Sequence, residues 1–362
     1  MVSPEPAGGG WRVSGRAALI WRYVIQRLLI AAVQLLALAV LVFFIIRLMP
    51  ADPVARLVGF NASPEAYAQS QQALGLDRPL LLQFSDFLGL TAGQPGGGLL
   101  QGSLGESWES NEPVADELIR SLPVTLELVS LSLLVSLLLA IPIGMYAAAR
   151  PGGAVDKGAY VWGMFAGSQP DYWWGLLFIL VFAFTLGVAP APLGRHDPLL
   201  LPPDPVTGLI LVDSVLRGRW DVLVSAFGYL ALPVITMVFT VSGAIIKMIR
   251  QNTVRALSSD YVMFARACGL PQRTVALYAL RTALTPTLTL VAVFFSVLLS
   301  AAVTVERVFS LNGVGQYSVR AILNFDYPAI QGAVLAVAFV SLMVYLLVDI
   351  LHAVLDPRSR SH

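Results

Sequence analysis

The sequence predicts an all-α, polytopic membrane protein, and three observations carry that prediction. Hydrophobic residues fill 57% of the 362 positions and charged residues only 12%, where soluble domains hold roughly 25% charge and about 45–50% apolar residues. With a mean hydropathy of +0.74, the chain groups its apolar residues in long blocks rather than in one stripe per helix, so a water-soluble core could not hide them. The charges, finally, are sorted by sign between the connecting segments, as membrane insertion requires.

Taken in order, residues 1–22 read as a flexible cytoplasmic tail with Pro4, Pro6 and the glycines at 8–10. No small-residue cleavage site precedes the apolar block that follows, which favours an uncleaved signal anchor over a signal peptide. Six blocks reach the 20 or so residues that cross a hydrocarbon layer: 23–49, 122–149, 159–186, 227–248, 284–305 and 330–355. The third is interrupted by Gln169, Pro170 and Asp171; each half is short for a span, so one helix kinked at the proline is expected.

Basic residues flank the spans in alternation. Arg12, Arg16, Arg22 and Arg27 precede or open the first block, Arg150 and Lys157 lie between the second and third, and Lys247, Arg250, Arg255, Arg266, Arg273 and Arg281 lie between the fourth and fifth. The remaining segments hold most of the acids, among them Asp52, Asp77, Asp86, Glu106, Glu109, Glu112, Asp116, Glu117, Asp197, Asp204, Asp213 and Asp221. With both termini cytoplasmic the basic loops face inward, a pattern that is self-consistent only for an even number of spans.

Three outer segments follow. Residues 50–121 form a small external subdomain, with helix-like stretches at 64–74 and 80–88 and a glycine-rich break at 96–98. The external loop at about 188–226 is proline-rich, and the third segment runs over 306–328. Residues 122–362 then form the main transmembrane domain of five helices. No internal repeat is evident, which argues against folds built from inverted repeats.

Several chemistries are excluded. A net charge of +1 gives no broad attraction to nucleic acid. Cys268 is the single cysteine, and His196, His352 and His362 are scattered, so neither a disulfide nor a metal cluster is encoded. The sequence holds no H-E-x-x-H and no phosphate-binding loop with its lysine, so it does not itself hydrolyse ATP.

Ionisable residues in or near spans are functional candidates by default. Glu127, Lys247 and Asp349 fall near span ends, where a charged tip reaching the interface explains them. Asp171 lies deeper; beside Pro170 it can cap amides freed by the kink, or line a pathway. The acids at 106–117 read as a solvated surface or as a dock for a soluble partner.

The segment between the fourth and fifth blocks is the most informative. Asp260 fits a helix N-cap, Gly269 the residue just past a C-terminus and Pro271 a stop, so a helix of about eight residues, some 12 Å long, is specified. Isolated helices shorter than about 12–15 residues are weak in water. This one, presenting Tyr261, Val262, Phe264 and Ala265, therefore packs either into a groove on a soluble partner or against the protein's own helix ends.

Here the sequence resembles the permease subunits of ABC importers for dipeptides and oligopeptides. Their pattern D-Y-V-x-x-A-R-A-x-G-L, followed by L-R-x-A-L-x-P, is met by Asp260, Tyr261, Val262, Ala265, Arg266, Ala267, Gly269, Leu270, Leu280, Arg281, Ala283, Leu284 and Pro286. The likeness extends over nearly the whole chain, through Tyr23 with Gln26 to Leu28, Asp52 with Pro53, Gly75 to Pro79, Leu122 to Leu128 and Gly167 to Pro170. It closes with Val305, Glu306, Val308, Phe309, Gly313 to Gly315, Asp326 to Pro328, Gln331, Gly332 and Asp356 to Arg358.

The resemblance implies a type I importer. This subunit would pair with a homologous permease, two cytoplasmic ATP-binding subunits and an extracytoplasmic substrate-binding protein in the cell (plasma or inner) membrane. ATP and Mg would be bound by the partner ATPases, and no cofactor by this chain. It makes 251–283 the coupling loop, with Asp260, Tyr261, Phe264, Ala265, Arg266, Ala267, Gly269, Leu270 and Arg281 as the contact residues, and leaves Asp171, Glu306 and Asp326 as candidates for a substrate pathway or gate.

Met263 stands where many such permeases carry the glutamate of their coupling motif, Thr282 where this family often has asparagine, and Cys268 where a basic residue is common. Residues before Trp21 and those at 202–220 look like additions to the usual pattern. Related permeases handle nickel chelates, glutathione or antimicrobial peptides, and the residues do not separate these from peptides. A stand-alone proton-coupled carrier would need a midplane relay, for which Asp171 alone qualifies.

Overall fold

The computed structural model describes residues 12–49, 52–59, 61–91 and 97–355. Thirteen α-helices account for most of them: α1 (Arg12–Leu48), α2 (Pro53–Val58), α3 (Pro64–Ala73), α4 (Leu80–Leu88), α5 (Val114–Ala149), α6 (Ala154–Ala166), α7 (Asp171–Phe178), α8 (Ile210–Leu216), α9 (Trp220–Leu257), α10 (Asp260–Ala267), α11 (Gln272–Phe309), α12 (Val314–Leu323) and α13 (Tyr327–Leu355). Among the described residues, five helices have stretches long and apolar enough to cross a membrane, namely Val24–Leu48, Val114–Ala149, Trp220–Leu257, Thr289–Phe309 and Tyr327–Leu351. They account for all the expected spans except the third.

That third span is broken, not kinked. Residues 167–170 separate α6 from α7, and α7 passes into a π-helical stretch, Ile179–Thr185. Pro170 disfavours helical geometry at Gln169 and offers no N–H of its own. The Trp174 indole N–H donates to the Ala166 carbonyl at 3.1 Å, satisfying an acceptor that the break exposes. Phe239 holds the two pieces together, with ring centroids 4.3 Å from Trp162 and 4.5 Å from Trp174. Asp171 makes no side-chain cap; it is the first residue of α7, behind Pro170. The expected capping role is thereby corrected, because the proline itself occupies the position from which a side chain could reach back.

The first helix also differs from expectation. It begins at Arg12, so only residues ahead of it are left for a tail. Ala17, Ala18 and Leu19 are good helix formers, and a lone glycine at 15 is too weak a breaker to stop them. Helices α5, α9 and α11 likewise outrun their apolar blocks, since lipid thickness limits the block and not the helix.

At the centre, α5 packs along α9. Ser132 Oγ lies 3.6 Å from Met237 Sδ, and Gly144 sits beneath Ile249. Both pairs are offset by the same number of residues, so the two helices run parallel. Leu128, Val129, Leu230, Met237, Leu298 and Leu311 form the core between α5, α9 and the α11 end. Outward faces stay apolar: Leu29, Val33, Leu138 and Leu180 are exposed, which is unfavourable in water but neutral against lipid.

The two ends differ. At one, Arg27 pairs with Asp349 (3.2 Å) and Arg250 with Asp156 (2.8 Å), and α10 links α9 to α11. At the other lie α2, α3 and α4; α3 and α4 fall within one residue of the helix-like stretches read from sequence, and α2 is an addition to them. Asp52 caps α2 through Ala55 N (2.9 Å) and accepts from Tyr67 Oη (2.9 Å), while Ser63 caps α3. Phe43, Phe84 and Phe87 cluster against α1, and Arg47 lies over the Phe43 ring at 3.7 Å.

Glu127 is not an interfacial tip. It is 6% exposed, and its carboxylate accepts from Leu211 N (2.8 Å), Ile210 N (3.2 Å) and Arg195 Nη1 (3.2 Å). The free amides that open α8 thus end on a buried carboxylate, which moors the 188–226 loop to α5. Asp213 organises the same loop through Thr207 N, Thr207 Oγ1 and Gly208 N. Burial opposes its charge, but these donated bonds hold the carboxyl below the usual range.

Candidate functional site

Helix α10 is held by its ends and by one face. Ser259, with extended backbone, is the N-cap residue and Asp260 the first helical residue, one position from expectation. The Ser259 hydroxyl donates instead to Ala256 O, turning the chain out of α9. At the other end Gly269 has φ +74°, its N–H bonds Arg266 O at 3.0 Å, and Leu270 N bonds Ala265 O at 3.2 Å. These two bonds are the Schellman pair, which satisfies the last carbonyls of a helix and requires a left-handed residue at its exit. Pro271 is then the N-cap residue of α11.

Of the four residues expected to seek a partner, two already have one. Val262 (0% exposed) and Ala265 pack on Val275 and Leu257, while Tyr261, Met263 and Phe264 (71% exposed) point away from the protein. The second alternative accounts for one face, which packs on the protein's own helix ends, and the other face is left open. Asp260, Arg266, Ala267 and Leu270 are exposed beside it. Arg266 also borders a cavity of about 390 Å³ with Met145, Pro151, Leu257 and Gln272. Arg281 falls in α11, and its side chain lies outside the described residues, as do those of Thr282, Leu284 and Pro286 and all of Asp356, Pro357 and Arg358.

The expected gate residues do not gather into one site. Asp171 is half-buried at the start of α7. Glu306 is fully buried; it accepts from Thr125 Oγ1 and from Gln316 N (3.0 Å), and Thr125 Oγ1 in turn accepts from Val314 N at 2.9 Å. A Cβ at Gly313 or Gly315 would run into the Glu306 carboxylate, so the Gly-Val-Gly run is what lets α12 start there. Asp326 is 2% exposed, accepts from Ser107 Oγ (2.6 Å), Glu109 N (3.2 Å) and Ala329 N (3.1 Å), and so joins the outer subdomain to α13. Both carboxylates tie together segments that are distant in sequence or belong to different elements.

The acids at 106–117 divide between water and such ties: Glu112 pairs with Arg120, and Glu117 accepts from Tyr317 Oη at 2.8 Å. Burial, and then that carboxylate, push the Tyr317 phenol up from its ordinary value. Nearby, Arg195, His196, Asn312 and Arg320 border a cavity of about 520 Å³ that sequence reasoning missed. The adjacent Arg195 and His196 in a proline-rich stretch were its one local signal.

Residues 140–361 match the family described as the binding-protein-dependent transport system inner membrane component, and residues 20–129 match the N-terminal segment of such membrane components. The chain belongs to this family. It is thus a multi-pass inner membrane permease, a transport subunit. The permease is 36% identical over 340 residues to the di/tripeptide transport system permease protein of Pseudomonas aeruginosa, covering 93% of this chain and 98% of that one. It is 36% identical to a probable D,D-dipeptide transport system permease protein of Escherichia coli (93% and 97% covered) and 31% identical to that organism's dipeptide transport system permease protein (94% and 98%).

Proposed function

We propose that this permease is the membrane subunit of an ATP-driven importer that carries di- and oligopeptides into the cytoplasm, coupled to two separate ATPase subunits through α10. The observation that carries the coupling is the split of that helix, with Val262 and Ala265 buried and Tyr261, Met263 and Phe264 open. A short apolar face fixed at both ends suits a groove on a soluble partner. The names of its relatives support peptides as cargo. ATP and Mg belong to the partner ATPases; a homologous second permease lines the other half of the path, and a binding protein delivers peptide to the outer face.

Reconstitution of the complete transporter in proteoliposomes tests this reading. Uptake of a labelled dipeptide should require ATP inside the compartment that holds the ATPases and should persist when the proton gradient is collapsed. Uptake that follows the gradient and ignores ATP would overturn it.

In this reading both termini and the basic end are cytoplasmic, as the loop charges favour. Cys268 is exposed beside α10, so a membrane-impermeant thiol reagent applied outside cells should leave the native chain unlabelled. In a Cys268→Ala background, Asp204→Cys, in the exposed part of the 188–226 loop, should label from outside. Labelling of Cys268 in intact cells would reverse the orientation and remove α10 from the ATPases.

A further inference from the structure

A further cavity lies away from α10, between α6 and α9. Its volume is about 830 Å³. Gly163 and Gly243 form its floor at the crossing of the two helices, where a Cβ on Gly243 would overlap the Gly163 backbone. Small residues let helix backbones approach this closely in lipid, and they leave a groove above the contact. Tyr160, Val161 and Met164 wall it on one side and Ala244 on the other, all exposed.

Polarity changes along its length. Thr240 and Gly167 close the deep end, and Lys157, Lys247, Arg250 and Gln251 border the end at the basic loops. From Thr240 to Gln251 the groove runs about 16 Å along α9. Arg250 is engaged by Asp156, whose other bond is to Gly152 N. Lys157 and Lys247 have no side-chain partner among the described residues, so the mouth keeps two uncompensated cations. The deep part offers almost no hydrogen-bonding capacity, because the Thr240 hydroxyl is turned back onto Met237 O at 3.0 Å.

We propose that this groove holds one anionic glycerophospholipid from the cytoplasmic leaflet, its phosphate between Lys157 and Lys247 and an acyl chain along Tyr160, Met164 and Ala244. A single cationic mouth over a long apolar channel is complementary to a phosphodiester with a hydrocarbon tail. A peptide fits poorly, since below the mouth the Tyr160 phenol is the main side-chain partner its backbone would meet. A second copy of this face would bring like charges together. The occupant needs no particular cargo, so the inference stands apart from peptide import.

The test is native mass spectrometry of the complete transporter, titrated in mild detergent with phosphatidylglycerol and with phosphatidylcholine. One phosphatidylglycerol should bind in preference to phosphatidylcholine. The double variant Lys157→Gln/Lys247→Gln should weaken it about thirtyfold, at roughly fivefold per lysine near a membrane surface. Ala244→Trp should displace it by filling the groove with both lysines in place, and Arg273→Gln, a cation lost elsewhere at the same end, should change nothing. Equal binding by wild type and the lysine variant overturns the proposal. So does lipid bound by the isolated chain but absent from the complete transporter, since the second permease would then cover the groove. Displacement by inorganic phosphate as readily as by lipid would mean a phosphate site alone, and would overturn it too.

Discussion

Replacing Gly269 with valine should leave the permease inserted and folded while separating it from its ATPases. At φ +74° the residue sits in left-handed geometry, which an L-residue adopts at about 1–2 kcal/mol and a β-branched one at more. A Cβ built there meets nothing within 4 Å, so the effect is backbone strain and not a clash. The chain can relieve that strain by giving up the Schellman pair, Gly269 N to Arg266 O and Leu270 N to Ala265 O, which re-aims the last turn of α10. Every 1.4 kcal/mol is about tenfold in binding, so ATPase docking should weaken by an order of magnitude or more.

The measurement is the amount of ATPase that co-purifies with the permease, read beside transport and the thermal stability of the permease itself. Gly269→Asn, which tolerates left-handed geometry, should retain most docking. Phe264→Asp should fail like Gly269→Val by a different route, because it puts a charge on the open face without touching the backbone. If both Gly269→Val and Phe264→Asp docked and transported at wild-type levels, α10 would not be the coupling element.

Helix α10 was legible to within one residue because its determinants are local: a turn out of α9, a glycine exit and a proline start to α11. The same holds for α3 and α4, which open on Pro64 and the Pro79 boundary. Long-range partners were not legible. Glu127 finds its amides 83 and 84 positions away, Glu306 finds Thr125 at 181 and Asp326 finds Ser107 at 219. No local pattern distinguishes such a buried tether from a pathway acid. Pro170 announced an interruption, but whether the span kinked or broke was decided by Trp174 reaching Ala166 and by Phe239 on another helix. The α6–α9 groove depends on Gly163 meeting Gly243, a pairing that neither glycine reveals alone.

Asp326 offers the sharpest choice between tether and gate. Its carboxylate gathers three donors from two parts of the chain: Ser107 Oγ and Glu109 N in the outer subdomain, and Ala329 N in α13. Asp326→Leu has similar bulk but leaves all three donors without their acceptor in a nearly closed site. At about 1–3 kcal/mol for each donor stranded away from water, and less where Glu109 can find solvent, a loss of about 3–5 kcal/mol is expected. That is a large share of the stability of an ordinary domain. The variant should express poorly and unfold several degrees lower in detergent. Asp326→Asn keeps an oxygen for Ala329 N but turns an amide group toward Ser107 and Glu109, so it should lie between. Ser107→Ala should lose about 1 kcal/mol, and combining it with Asp326→Leu should add little, since the shared bond is already gone. A gate residue would give the opposite result, with Asp326→Asn abolishing peptide uptake at unchanged thermal stability. Wild-type unfolding of Asp326→Leu would mean that the contacts among Ser107, Glu109 and Asp326 do not hold the outer subdomain to α13.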